Sequence, residues 1–297
     1  MIKLLQRMMA IGLLTCSLSA TATDLTVIYN KNEPKNFISL LEAALERTKS
    51  EGGFSIKASD TTFGTARAID EIADNTGKLH ILTRGSNIDE EKKLLPVRVP
   101  LDKGLLGYRI MLVRKPDLPK FAAIQSVDEL KRLSVGQGSR WPDTKILEAA
   151  GFKVTKAYYS AGLLRMLTEE RFDMFARATW EAPGGLADAT KQGITDLAIE
   201  PTLAVYYPMP RIFMVSRKGE GPTLAARLER GLRAMIKDGS FDRIFTESFG
   251  PALEAARLHE RKIFRVDNKF LSPDTPFEDK SLWLDVSVPY SAGAKKP

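Results

Sequence analysis

One cysteine, Cys16, and two histidines, His80 and His259, are all that 297 residues hold of the side chains that most often ligate metals or serve as nucleophile and base. Cys16 falls in a leader segment, so the rest of the chain forms no disulfide and has no thiol chemistry. The histidines stand far apart, without metal-ligand spacing. His80 alternates inside an apolar strand and reads as a packed residue. The stretch "GQGSR" lacks the last glycine of a nucleophile elbow or a dinucleotide fingerprint, and no Walker lysine motif is present. No cofactor and no metal is therefore expected. Charge of one sign is scarce too. Lys and Arg number 44 against 37 Asp and Glu, a net charge of +7, and the surplus is dispersed. "RKPDLPK" and "RKGEGP" read as solvated loops, and "EEKK" (90–93) as a solvated, charge-balanced turn. With no basic stripe interleaved with aromatics, nucleic acid is excluded as a partner. Long apolar runs are also missing. The longest, "MMAIGLLTCSL", is too short to cross a bilayer.

That run is the core of a secretory leader. Lys3 and Arg7 precede it and Ala20-Thr21-Ala22 follows, which places a signal peptide at 1–22 with cleavage after Ala22. A lipoprotein anchored through Cys16 is the alternative, disfavoured by Thr15 before the cysteine. The exported chain is expected to be periplasmic, soluble, unanchored and monomeric. It is long enough to bury one large core or two ordinary ones.

Two α/β series follow. "LTVIYN" (25–30), "FSIKA" and "LHILT" (79–83) are apolar or alternating strands. Between them lie helical patterns, the first with Phe37, Leu40, Leu41, Ala44 and Leu45 on one face, the second over 62–73. Strand-helix-strand alternation implies parallel pairing and right-handed crossovers. The second series starts at "YRIMLVR" and continues through a capping box at Ser126–Glu129, "LSVGQG", a helix over 142–150, "KVTKAYY", a helix capped by Ser160 and "FDMFAR" (172–177). Pro183, Gly184 and Gly185 weaken a helix over 179–192. "LAVYY" and "RIFMVSR" are strands on either side of "PMP". Pro222 then opens a long helix stopped by Gly239, and a short helix around Phe241, Ile244 and Phe245 leads into an irregular tail.

The chain thus reads as α/β with two lobes, each a mainly parallel sheet flanked by helices. Residues 23–107 and 211–297 form the first lobe and 108–210 an inserted second lobe. "GLLGYR" (104–109) and "YYPMPR" (206–211) are the crossings, expected to act as a hinge. Ligand sites in open α/β sheets lie beyond the carboxyl ends of strands, so a cleft between the lobes is the expected site.

The succession of "LTVIYN", "KKLLPVRVPLDKGLLGYR", "VGQGSRWPDTKIL", "ERFDMFARATWEA" and "LAARLERGLRAMIKDGSFDRIF" resembles the type 2 periplasmic solute-binding proteins of the polar amino acid class, family 3. The resemblance spans nearly the whole exported chain and rests on order and spacing. It implies a two-lobed fold closing on a small solute, often for an ABC permease. Two positions depart from the family. Its carboxylate-binding arginine, in "T-x-x-R", falls here on Glu91 or Lys92. Its amine-binding aspartate falls in the region of Arg177 and Ala178, with Glu181 the nearest acid. The ligand is accordingly expected to differ from an ordinary free amino acid.

The candidate ligand residues are Asn30, Ser139, Arg140, Trp141, Arg177, Glu181 and Tyr207. Ser139, Arg140 and Trp141 sit where Pro142 opens a helix, whose free N–H groups favour an anion. The plain alternative is a cap, a solvated arginine and a packed tryptophan. Arg177 ends a strand at the cleft side, and either touches ligand or pairs with Glu181. Asn30 ends the first strand, as pocket lining or as a turn residue. Tyr206 and Tyr207, at the second crossing, either stack on a solute or pack the hinge. Together they predict capture of a small anionic or zwitterionic solute, and the resemblance implies that it serves an ABC-type uptake system. A sensing module for a membrane partner, or a cleft dehydratase using Glu181, are the alternatives.

Overall fold

The computed structural model describes residues 24–290. The leader, Cys16 and the cleavage position after Ala22 lie outside the described residues. The chain enters through strand β1 (Leu25–Tyr29), which buries Leu25 and Val27. Helix α1 (Lys35–Arg47) turns the expected stripe of Phe37, Leu40, Leu41, Ala44 and Leu45 inward. Strand β2 (Phe54–Ala58), helix α2 (Thr65–Ala73) and strand β3 (Ile81–Gly85) complete the first series, with β1 parallel to both β2 and β3. The stretch read as a solvated turn is instead helix α3 (Ile88–Lys93), capped by Asn87, which accepts from the Asp89 N–H at 2.8 Å. Glu91 is buried in it, accepting from Ser86 Oγ and paired with Arg98 at 3.0 Å. Charge balance along the sequence did not reveal that pairing. Strand β4 (Leu95–Val97) follows.

The second series forms largely where expected. Strand β5 (Tyr108–Arg114) leads to helices α4 (Leu118–Ala122) and α5 (Val127–Leu130). Ser126 caps α5 by accepting from the Glu129 N–H at 3.2 Å, while Glu129 reaches the Gln125 N–H at 2.8 Å, one residue before the expected capping-box partner. Then come strand β6 (Ser134–Gly138), helix α6 (Pro142–Ala149), strand β7 (Lys153–Ala157), helix α7 (Leu163–Thr168) and strand β8 (Met174–Ala178). Helix α8 (Ala182–Lys191) forms despite Pro183, because the proline falls in the first turn, where no N–H is needed. Strands β9 (Leu197–Ile199) and β10 (Leu203–Tyr206) end this part.

Strand β11 (Arg211–Val215) returns to the first sheet, giving the order β2-β1-β3-β11-β4. Helix α9 (Gly221–Asp238) lays Leu224, Leu228, Leu232 and Met235 into the core, each burial contributing about 1.5–3 kcal/mol. Helix α10 (Ser240–Ala256) is far longer than the short helix expected and contains Pro251. Burial of Phe241, Phe245, Phe249 and Leu253 along one stripe outweighs the backbone bond the proline removes.

The tail is not irregular throughout. Strand β12 (Lys262–Arg265), assigned by sequence to the first lobe, pairs in parallel with β10 at the edge of the second sheet. Leaving that strand aside, the second sheet runs β10-β5-β8-β6-β7, with β9 on β5. Both sheets are mixed. The parallel series is broken where β5 and β11, the strands that follow a crossing, run antiparallel to their neighbours. After β12 the chain returns to the first sheet's side, where the Ile88 N–H donates to Phe270 O at 2.8 Å. One apolar cluster joins Ile110, Ala182 and Ala204 of the second unit to the buried faces of α1, α9 and α10. Within it Trp180 packs on Phe249, ring centroids 5.0 Å apart.

Candidate functional site

Between the two sheets lies a cleft of about 220 Å³. It opens beyond the carboxyl ends of β3, β6 and β8, which supply Arg84 and Gly85, Gln137, and Ala176 and Arg177. The antiparallel strands β5 and β11 meet it at their starts, which is why Arg109 and Arg211 also line it. Leu106 and Met209, one from each crossing segment, add apolar lining beside Trp141, Pro142 and Ala176.

The wall on the second sheet is a network of paired charges. Arg109 is almost wholly buried, and its guanidinium meets Asp143 at 2.6 Å. Tyr207, with no exposed surface, donates its hydroxyl to the same carboxylate, and Arg109 lies 5.6 Å from the centre of its ring. Burial by itself would lower the pKa of Arg109, but Asp143, Tyr207 and Glu181 together more than offset it and hold it above the usual guanidinium range. Glu181 pairs with Arg177 at 3.2 Å and approaches Arg109 at 3.8 Å, while also accepting from the Ala178 N–H. Arg177 lies against two nearly parallel rings, 4.9 Å from Trp141 and 5.2 Å from Phe175. Gly138 lets Trp141 take this place, since a Cβ on residue 138 would stand 2.7 Å from the indole.

On the first sheet Arg84 is held by both oxygens of Glu90, at 2.9 and 3.2 Å. Arg211 donates to Thr83 Oγ1 at 3.2 Å and lies over the Phe37 ring at 5.0 Å. Thr83 in turn donates its hydroxyl to Glu33, whose carboxyl burial pushes above the usual range. Three buried polar atoms of the lining residues have no hydrogen-bond partner among the described residues. They are Arg109 Nε, Arg211 Nε and Gln137 Oε1.

Of the residues named from sequence, Trp141, Arg177 and Glu181 line the cleft together. Arg140 does not. It is exposed and its guanidinium lies over Tyr158, 5.0 Å from the ring centre, so that corner lines the cleft through Trp141, Pro142 and Asp143. Nor is Ser139 among the lining residues. It does not cap α6, whose N-cap is Trp141, and its N–H bonds Ala157 O at 2.9 Å. Asn30 clamps Phe63 instead, donating to its carbonyl at 2.8 Å and accepting from its N–H at 3.0 Å. Tyr207 stands behind the wall and orients Asp143. The face of Trp141 that a solute was expected to use is covered by Arg177.

Sequence reading missed Arg84, Arg109, Gln137, Asp143 and Arg211. For Arg109 and Arg211 the signal was present. Each is a charge opening an apolar strand, "YRIMLVR" and "RIFMV", where burial demands a partner. Glu91, one of the two residues on which the family's arginine was expected to fall, is buried in the first unit and paired with Arg98 at 3.0 Å. A second hollow, about 190 Å³, lies beside His80, Asn75 and Glu220, near the start of β1. His80 is packed there, its Nδ1 accepting from the Ile28 N–H at 3.1 Å, and burial depresses its pKa. Among the described residues no group of three or more His, Cys, Asp or Glu side chains is placed to hold a metal ion. Nor is any described helix long and apolar enough to cross a membrane.

Comparison of the sequence with protein-family models and with curated proteins gives no match. Solved structures do match. The probable amino-acid ABC transporter extracellular-binding protein ytmK from Bacillus subtilis aligns at 14% identity and TM-score 0.54, over 77% of this chain and 98% of that one. A histidine kinase sensor domain with similarity to periplasmic binding proteins aligns at 14% and 0.51, over 77% and 97%. The arginine-, lysine-, histidine-binding protein ArtJ from Geobacillus stearothermophilus aligns at 12% and 0.50, over 77% and 96%. The two sheets, their crossings and the cleft between them have the fold of periplasmic solute-binding proteins.

Proposed function

We propose that this chain is an exported solute-binding protein that captures a small anionic or zwitterionic solute in the interlobe cleft and closes on it by a hinge. The observation that carries the reading is the cleft wall itself. Arginines from both sheets converge there with two acids, and buried polar atoms of the lining are left without partners among the described residues. Buried polar groups without partners cost about 1–3 kcal/mol each. A solute that satisfied them on both sheets at once would draw the sheets together. Residues 23–107 with most of 211–297 would form one body and 108–210 with β12 the other, and "GLLGYR" and "YYPMPR" would absorb the rotation. Delivery to an ABC-type permease is the favoured role.

A second reading has support from the likeness to a kinase sensor domain, namely a module that reports occupancy to a membrane partner. Binding chemistry is the same in both, and a pull-down from solubilised membranes separates them by whether a permease or a sensor kinase is recovered. The dehydratase reading has less support, because Glu181 is tied to Arg177 and to a backbone N–H.

Native mass spectrometry of periplasmic material, beginning at Thr23, tests the proposal together with small-angle scattering. The expected result is a retained small solute, and a radius of gyration that falls when stripped protein is refilled. Identical scattering at proven saturation would overturn hinge closure.

A further inference from the structure

We infer that the cleft takes a small carboxylic acid whose acidic group sits on Arg211 and whose hydroxyl or N–H is donated to Gln137 on the opposite sheet. This deepens the solute-binding reading and rests on it. The choice of Arg211 comes from a comparison within the cleft. Arg84 has Glu90 at 2.9 Å, Arg109 has Asp143 at 2.6 Å and Arg177 has Glu181 at 3.2 Å. Arg211 alone of the four lining arginines has no carboxylate within 4.0 Å among the described residues. Its guanidinium has a hydroxyl, Thr83 Oγ1, at 3.2 Å and an aromatic face, Phe37. Its Nε faces no acceptor among the described residues.

The acids nearby act on the Arg211 guanidinium from beyond 4.0 Å, and their hydrogen bonds go elsewhere. Asp102 accepts from the backbone N–H groups of Gly104, Leu106 and Arg211, at 3.1, 2.9 and 3.2 Å. Glu33 accepts the Thr83 hydroxyl. Arg211 is partly buried and has no carboxylate in direct contact among the described residues, and a carboxylate is the planar, two-pronged anion that fits its guanidinium.

Gln137 defines the other end. It is completely buried, and its amide N–H bonds Ala176 O at 3.3 Å. That leaves Oε1, an acceptor only, without a donor among the described residues. A second acidic group there would meet an acceptor rather than a donor, so a hydroxyl or N–H is the matching chemistry. At about 220 Å³ the cleft falls below the roughly 300–1,000 Å³ of pockets for drug-sized ligands, which confines the occupant to a small molecule.

The test offers ligand-stripped protein an equimolar mixture of small 2-hydroxy acids and amino acids, their amides, and polyols of matching size. Captured species are read by native mass spectrometry, and the best is titrated by calorimetry. The expected catch is a hydroxy- or amino-carboxylate and not its amide. Arg211→Gln should weaken it about tenfold to a hundredfold, and Arg211→Lys should weaken it less, with circular dichroism confirming both folds. Gln137→Leu should weaken the substituted acid while leaving the unsubstituted acid unchanged. Capture of an amide or polyol, or a folded Arg211→Gln that binds as tightly as the parent, would overturn the assignment and leave the solute-binding reading standing. Capture of nothing would overturn both.

Discussion

Asp143 is the residue on which the second wall depends. It is the direct partner of Arg109 at 2.6 Å and the acceptor for Tyr207, two groups that are both out of water. Removing one member of a buried pair leaves the other charge uncompensated, a loss of about 3–5 kcal/mol, whereas an exposed pair such as Lys92–Asp89 contributes about 1 kcal/mol or less. Asp143→Ala should therefore lower stability in urea titration by about 3–5 kcal/mol, and Asp143→Asn by less, because its carbonyl still accepts from Tyr207. A change under about 1 kcal/mol in Asp143→Ala would mean that Glu181, now 3.8 Å from Arg109, takes over the pairing.

At the scale of elements, the crossings decide how the sheets meet. The two segments run side by side, the Tyr207 N–H donating to Gly107 O at 3.2 Å and Tyr108 facing Tyr206 in the antiparallel ladder. Gly107 permits this approach. A Cβ there would stand 2.3 Å from Tyr207 O, a backbone atom that cannot swing away. Gly107→Ala is expected to force the segments apart and lower the midpoint of urea unfolding, by about 1–3 kcal/mol in stability. An unchanged midpoint would show that the crossing yields easily. Asp102 ties the same place from the other side, bonding N–H groups of both Leu106 and Arg211. The proposed hinge is thus stitched by a carboxylate and a glycine rather than being a loose linker.

For the whole molecule, the consequence of α10 is a shared core. Trp180 and Ala182, just past the cleft strand β8, pack into the cluster built on α1, α9 and α10. Together with the tail, which crosses to β12 and back, this joins the two sheets beyond the crossings, beside the cleft residue Glu181. Any closing motion must pivot near that seam. Two units sharing a buried cluster should also unfold together. Scanning calorimetry is expected to show a single transition with calorimetric and van't Hoff enthalpies in agreement. Two resolved transitions would mean that the units are thermodynamically separate.

Local pattern determined much of this protein by itself. The stripe of α1, the strand "YRIMLVR", Pro142 opening α6 and Gly239 ending α9 all stand where spacing and backbone preference put them. Each depends on residues within one or two turns of each other, so the order of elements and the two crossings were legible. Trp141, Arg177 and Glu181 could be named because strand ends and helix starts are visible in a sequence. What only the tertiary structure decided involves partners far apart. β12 joins the second sheet because β10 offers it an edge, although α10 before it packs on the first. Arg140 leaves the cleft because Tyr158 is beside it, and Asn30 is taken by Phe63. That Arg109, Asp143, Gln137 and Arg211 line one cleft rests on which strand ends and helix starts meet, and on which buried polar groups find partners there. Residues 109, 143 and 207 meet only once the sheet has formed, and no local period records that meeting.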